Sequence, residues 1–139
     1  IASTSRREQI TLQSARSIAE YFMEQLRHEP QEHLMLAMFD NKSMLIGEKL
    51  LSTGTSNAAL ISARDIYRTA LQYQAAYVVV LHNNPSGNPE PSREDILVTR
   101  KIKACGELLD ILLMDHIIIG DNRYFSFREQ DILFEKGRD

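Results

Sequence analysis

The chain has 139 residues, of which 43% are hydrophobic and 25% charged, and its formal net charge is −3. These values are typical of one folded domain and exclude a disordered or collagen-like chain. An acidic chain has no global positive field to hold nucleic acid, and no apolar run approaches the roughly 20 residues that span a bilayer, so we expect no membrane partner.

The first half of the chain predicts a helix, a hairpin and a second helix. Apolar residues recur every three or four positions over residues 11–27, which is typical of an amphipathic helix. Residues 33–39 and 44–51 predict two strands joined by a polar turn. After a polar connector over residues 52–57, Ser62 begins a capping box, which predicts the start of the second helix.

The second half predicts a buried strand, a loop, a long helix and a further hairpin. The β-branched run in residues 75–81 is typical of a strand buried on both faces. Three of the four prolines fall in residues 82–91 and predict a loop. Ser92 to Asp95 forms another capping box, and residues 111–127 predict two strands. The predicted apolar face of the third helix comprises Ile96, Thr99, Ile102, Cys105, Leu108 and Leu109.

This alternation predicts a single α/β domain over residues 1–139, with a mixed, mostly antiparallel sheet flanked by helices. Residues 1–10 are polar and are expected to form a flexible lead-in. Cys105 is the only cysteine, so an internal disulfide is excluded, and a lone thiol favours a reducing, cytoplasmic setting.

Reactive side chains concentrate around the predicted loop. His82 ends the buried strand, and Ser92 and Asp95 open the following helix. A zinc hydrolase needs about three protein ligands, an open position for water and a carboxylate that takes the proton of that water. Each part alone has a simpler explanation, because Ser-x-x-Asp is usually a helix cap and an isolated histidine is usually a hydrogen-bonded turn residue. The combined spacing is far more specific than its parts.

The segments His82-Asn83-Asn84-Pro85-Ser86-Gly87 and Pro91-Ser92-Arg93-Glu94-Asp95 closely resemble the signature of RadC-type proteins, which belong to the JAMM/MPN+ superfamily of zinc hydrolases. The resemblance continues through Asp115 to Gly120 and covers the chain from about Leu26 onward. It implies a single MPN (JAB/JAMM-like) domain.

The resemblance also implies a role for each matching residue. His82 and Asp95 match metal ligands, Ser92 matches the serine that stabilises the oxyanion, and Glu32 matches the general base, with Glu48 as the second candidate. We therefore expect Glu32, His82, Asn84, Ser92 and Asp95 to converge.

Asn84 departs from the family pattern, which has a second histidine ligand at that position. A neutral amide oxygen binds zinc more weakly than imidazole does and suits harder cations. We expect zinc to bind weakly or not at all. His33 and His116 are the other imidazoles that could substitute, although His116 favours a packed, hydrogen-bonded role and Cys105 a core position.

Two functions follow from the resemblance. The first is a JAMM-type zinc metallopeptidase that cleaves a peptide or isopeptide bond, impaired by Asn84; the second is a catalytically degenerate MPN binding or scaffold module. The family also has a historical association with DNA repair. Arg93, Arg100, Lys101 and Lys103 predict the solvated side of the third helix, and we expect this domain alone to bind duplex DNA weakly at best.

Overall fold

The computed structural model describes residues 14–54 and 61–134, so the predicted lead-in and residues 55–57 of the connector lie outside the described residues. Three helices and five strands form within these ranges. In chain order they are α1 (Ala15–Leu26), β1 (Glu32–Phe39), β2 (Leu45–Gly54), α2 (Ala63–Gln72), β3 (Tyr77–Asn83), α3 (Arg93–Leu109), β4 (Leu112–Ile119) and β5 (Tyr124–Ser126). Within the described residues no helix is both long and apolar enough to cross a bilayer.

The five strands form one sheet in the order β2-β1-β3-β4-β5. β1 pairs antiparallel with β2 and β3, β4 pairs antiparallel with β5, and only β3 and β4 are parallel. The predicted α/β class with a mixed, mostly antiparallel sheet is therefore confirmed. The parallel pair places the carboxyl ends of β3 and β4 at the same edge of the sheet, and α3 connects these two strands.

An apolar layer covers each face of the sheet. On one face, α1 packs its buried residues Ile18, Ala19, Phe22 and Leu26 against alternate positions of β1, β3 and β4. On the other face, α2 and α3 cover the intervening positions, including Leu34, Val80 and Ile118. Residues two apart in a strand share a face, so each position can be assigned to the α1 face or to the α2/α3 face.

The predicted starts of the second and third helices are confirmed, whereas α1 begins at Ala15, inside the predicted range 11–27. The hydroxyls of Ser14, Ser62 and Ser92 each accept a hydrogen bond from a backbone N–H in the first turn of α1, α2 and α3. Each bond satisfies a donor that the helix itself leaves unpaired. α3 ends at Asp110, which adopts a left-handed conformation with φ 57°.

Two strands extend further at their C-terminal ends than the sequence predicts, and β1 begins one residue earlier, at Glu32. β2 continues to Gly54 because Ser52, Thr53 and Gly54 pair with the first residues of β1. β3 continues through His82 and Asn83, which pair with β1 and with β4 respectively, so the loop begins at Asn84. Polar side chains do not prevent a segment from pairing when neighbouring strands supply backbone partners.

The predicted apolar face of α3 is wrong at its C-terminal end. Leu108 is 86% exposed and Leu109 is also exposed, whereas Gly106 is buried against Tyr67 and Ile111. The last turn therefore presents its leucines to solvent, although Ile102 and Cys105 pack against the core as expected.

Candidate metal centre

His82 lies near the carboxyl end of β3, between Leu34 of β1 and Ile118 of β4. It is two residues from Val80 and therefore points to the same face of the sheet, the α2/α3 face, where its side chain is buried. Burial lowers the pKa of the His82 imidazole, and the nearby carboxylate of Asp95 opposes this lowering. The ring is therefore held in its neutral form, which is the form that binds a metal.

Asp95 uses its two carboxylate oxygens differently. Oδ2 accepts a hydrogen bond from the backbone N–H of Ser92 at 2.8 Å, while Asp95 N–H donates to Ser92 Oγ at 3.0 Å. This reciprocal pair is the predicted capping box. The other oxygen, Oδ1, lies 3.8 Å from His82 Nε2. The Asp95 side chain thus caps the start of α3 with one oxygen and faces His82 with the other.

The separation of these two atoms suits a shared metal ion better than a hydrogen bond. A distance of 3.8 Å exceeds the usual limit for an N–H···O hydrogen bond. Two ligand atoms at tetrahedral zinc, each about 2.0–2.1 Å from the ion, lie roughly 3.3 Å apart. A closure of about 0.5 Å would bring His82 Nε2 and Asp95 Oδ1 to that separation.

Asn84, where the resemblance leads one to expect a second histidine, is engaged in the loop. Its backbone N–H donates to Ile119 O at 2.8 Å, and its side-chain Oδ1 accepts from Ser86 N at 3.2 Å. The amide oxygen thus closes an Asx turn. No group of three or more His, Cys, Asp or Glu residues that could hold a metal occurs within residues 14–54 and 61–134. His82 and Asp95 fit as two zinc ligands, and Asn84 does not complete the set.

Glu32 is the first residue of β1 and lies at the same end of the sheet as His82. Leu34 and His82 are the last pair of β1 and β3, so Glu32 lies two residues beyond that pair, where it pairs with Gly54 of β2. Glu32 shares strand parity with Leu34 and therefore belongs to the α2/α3 face. The convergence of Glu32 with His82 and Asn84 stays a prediction, as does the chemical role of each residue.

Asn83 is a site residue that the sequence interpretation missed. Its side chain is buried, and Oδ1 accepts from His33 N at 2.6 Å. Nδ2 donates to Gln31 O at 3.0 Å and to Glu29 O at 3.4 Å. These bonds hold the backbone on both sides of Glu32. Its place between His82 and Asn84 was the available signal, but its bonding partners are about 50 residues away in sequence.

Two of the alternative residues lie on the opposite face of the sheet. Glu48 pairs with Ala37, and its carboxylate accepts hydrogen bonds from Tyr21 of α1 at 3.2 Å and from Gln25 at 3.4 Å. His33 is two residues from Met35 and therefore points to the same face of the sheet, the α1 face. The position of Glu48 therefore disfavours it as the general base, and that of His33 disfavours it as the substitute ligand.

His116 is packed and hydrogen-bonded, as the sequence favoured, but one of its partners is His82. His116 Nε2 lies 2.8 Å from His82 Nδ1, and His116 Nδ1 lies 2.5 Å from Thr99 Oγ1. Its ring stacks on Phe127 with centroids 4.7 Å apart. Burial lowers the pKa of His116 well below its ordinary value, and His82 lowers it further. His116 therefore lies behind His82, on the side away from Asp95.

Comparison with known proteins identifies relatives of this domain. A family model described as "RadC-like JAB domain" matches residues 12–132. The chain is similar to UPF0758 proteins of Clostridium perfringens, at 41% identity over 125 residues, and of Thermotoga maritima, at 43% over 119 residues. These matches cover 90% and 86% of this chain, and 55% and 53% of the relatives. The chain thus spans about half the length of the curated relatives it matches.

Proposed function

The chain belongs to the RadC-like JAB domain family, and from this premise we propose that it carries a JAMM-type hydrolase site for peptide or isopeptide bonds, with zinc affinity lowered by Asn84. The observation that carries the proposal is the approach of two buried side chains, in which His82 Nε2 faces Asp95 Oδ1 at 3.8 Å. Two neutral or anionic acceptors facing each other without a hydrogen bond are stabilised by a cation between them.

Zinc bound by these two residues would polarise the scissile carbonyl and lower the pKa of a bound water. Glu32 takes a proton from the attacking water and returns it to the leaving amine. The C–N bond breaks, and the oxygen of the water stays on the carbonyl carbon. Ser92 Oγ accepts from Asp95 N–H, and the hydroxyl keeps its own proton to donate to the developing oxyanion.

We also propose a substrate class and a compartment for this reaction. A peptide or protein is the substrate class, and duplex DNA is not expected to bind this domain with high affinity, because the net charge of the chain is −3. We place the activity in the cytoplasm, where the lone Cys105 stays reduced.

The experiment restores the missing ligand and then removes the base. Asn84→His should support hydrolysis of a peptide and isopeptide panel in added zinc. Adding Glu32→Gln should lower that rate by about 10²–10⁴-fold, because an amide cannot take the proton of water. Glu48→Gln is the matched control, since Glu48 lies on the α1 face, and it should leave the rate unchanged.

Two results would contradict the proposal. If Glu32→Gln leaves the restored activity intact, Glu32 is not the base. If Asn84→His binds zinc but cleaves nothing in the panel, the degenerate binding module becomes the better account. In that account the side chain of Asn84 serves only to close the loop turn.

A further inference from the structure

A line of three contacts between buried groups joins the two candidate ligands behind the site. It runs from His82 Nδ1 to His116 Nε2, from His116 Nδ1 to Thr99 Oγ1, and from Thr99 Oγ1 to the backbone carbonyl of Asp95, at 2.8, 2.5 and 2.6 Å. We propose that Thr99 and His116 are positioning residues that hold His82 as the Nδ1–H tautomer, with its Nε2 lone pair facing Asp95. This inference rests on the proposed metal site.

The direction of the hydrogen bond between Thr99 and Asp95 is fixed by chemistry. The carbonyl oxygen of Asp95 can only accept, so Thr99 must donate its single hydroxyl proton across the 2.6 Å contact. Thr99 Oγ1 then has only lone pairs to offer to His116. The contact with His116 Nδ1 at 2.5 Å therefore requires the proton to be on Nδ1.

The remaining protons follow from the neutrality of the two rings. His116 is completely buried, its ring stacks on Phe127, and the His82 ring meets it at a tilt of 55°; such burial disfavours an imidazolium. A neutral His116 that carries its proton on Nδ1 has a bare Nε2, which can only accept. His82 must then donate from Nδ1 across the 2.8 Å contact, and its Nε2 carries the lone pair.

These hydrogen bonds leave a lone pair, and no proton, on His82 Nε2. This nitrogen faces Asp95 Oδ1 at 3.8 Å, so the lone pair is directed toward the second candidate ligand. Thr99 also fixes the carbonyl of the residue whose carboxylate is the second candidate ligand. Such supporting partners fix ring orientation and tautomer at metal sites, and losing one typically costs about 10–100-fold in affinity.

The direct test needs no variant and no metal. Long-range ¹H–¹⁵N correlation spectra of the metal-free protein at neutral pH distinguish a protonated from a bare ring nitrogen. The proposal expects Nδ1–H and bare Nε2 for both His82 and His116. An Nε2–H tautomer of His82 as the main species would overturn it.

Thr99→Val and Thr99→Ser form the matched pair. Valine keeps the shape of threonine but removes the hydroxyl, so the proton of His116 Nδ1 loses its acceptor and the Nε2–H population of His82 should rise. Serine keeps the hydroxyl and should keep the spectrum of the parent. Unchanged His82 signals in a folded Thr99→Val would contradict the proposed role.

Zinc titration separates this inference from the proposed function. In the Asn84→His background, Thr99→Val should weaken zinc binding about 10–100-fold relative to Thr99→Ser. Equal affinities would contradict the inference. If Asn84→His binds no zinc while the tautomers are as expected, the positioning role stands and the proposed metal site fails.

Discussion

Raising the pH from about 4 to about 6.5 should destabilise this domain through one buried carboxylate, that of Asp115 on β4. Its Oδ2 accepts from the Ser126 hydroxyl at 2.6 Å, and Oδ1 accepts from the backbone N–H groups of His116 at 2.7 Å and Arg128 at 3.0 Å. Burial nevertheless raises the pKa of Asp115 from 3.8 to about 6, because these bonds and the charge of Arg128 only partly replace water.

The sign and size follow from proton linkage. The folded-state pKa lies above the unfolded value, so between pH 3.8 and about 6 the folded protein holds a proton that the unfolded chain has released. The stability contributed by this group is fully present below the unfolded pKa and is lost as the pH rises through the folded pKa. A separation of about two pH units corresponds to about 3 kcal/mol.

The assay is urea unfolding at several pH values for the parent and for Asp115→Asn, which cannot ionise. Subtracting the two curves is necessary because the lowered pKa values of His82 and His116 act in the opposite direction, adding stability as the pH rises. The free energy of unfolding of the parent minus that of the variant should fall by about 2 kcal/mol between pH 4 and 6.5, because part of the total is already lost at pH 4. Asp121→Asn, at an exposed turn, is the charge-matched control. A difference that stays flat within about 1 kcal/mol would refute the reasoning.

Two further predictions concern the segments around the site. Asn83→Ala removes a buried side chain with three hydrogen bonds and should lower the free energy of unfolding by about 2–4 kcal/mol. The control Asn88→Ala changes an exposed residue and should alter it by less than about 1 kcal/mol. Equal effects would show that the hydrogen bonds of Asn83 do not stabilise the fold. Gly120→Ala would drive a Cβ atom into the carbonyl of Gly87 and close to Pro89 Cδ, so it should cost about 1–3 kcal/mol in urea unfolding, and an unchanged midpoint would show that the loop yields freely.

Local sequence rules account for the elements but not for the contacts between them. The capping serines of α2 and α3 and the β-branched run of β3 were recognisable because their signals lie within a few residues. The extension of β2 to Gly54 was not, since its pairing partners belong to β1. Helical periodicity likewise placed Leu108 on the core face, because periodicity does not show that the packed surface ends near Gly106.

The same limit applies to the candidate site. The spacing of His82 and Asp95 was sufficient to predict their proximity because a single loop separates them, and the resemblance supplied Glu32 as base. The contact of His116 with His82 depends on the parallel register in which His116 pairs with Val80. Asn83 was overlooked because its partners in residues 29–33 become neighbours only through the antiparallel pairing of β1 with β3.

The most direct measurement is a calorimetric zinc titration of the parent and of Asn84→His, after dialysis against chelator and at one fixed neutral pH. His82 and Asp95 supply two ligands in both proteins, and only the variant gains a third ligand, an imidazole two residues after His82. Our account predicts weak or no binding by the parent and affinity at least 10–100-fold higher for Asn84→His. Near-stoichiometric, tight binding by the parent, or equal affinities for the two proteins, would contradict it.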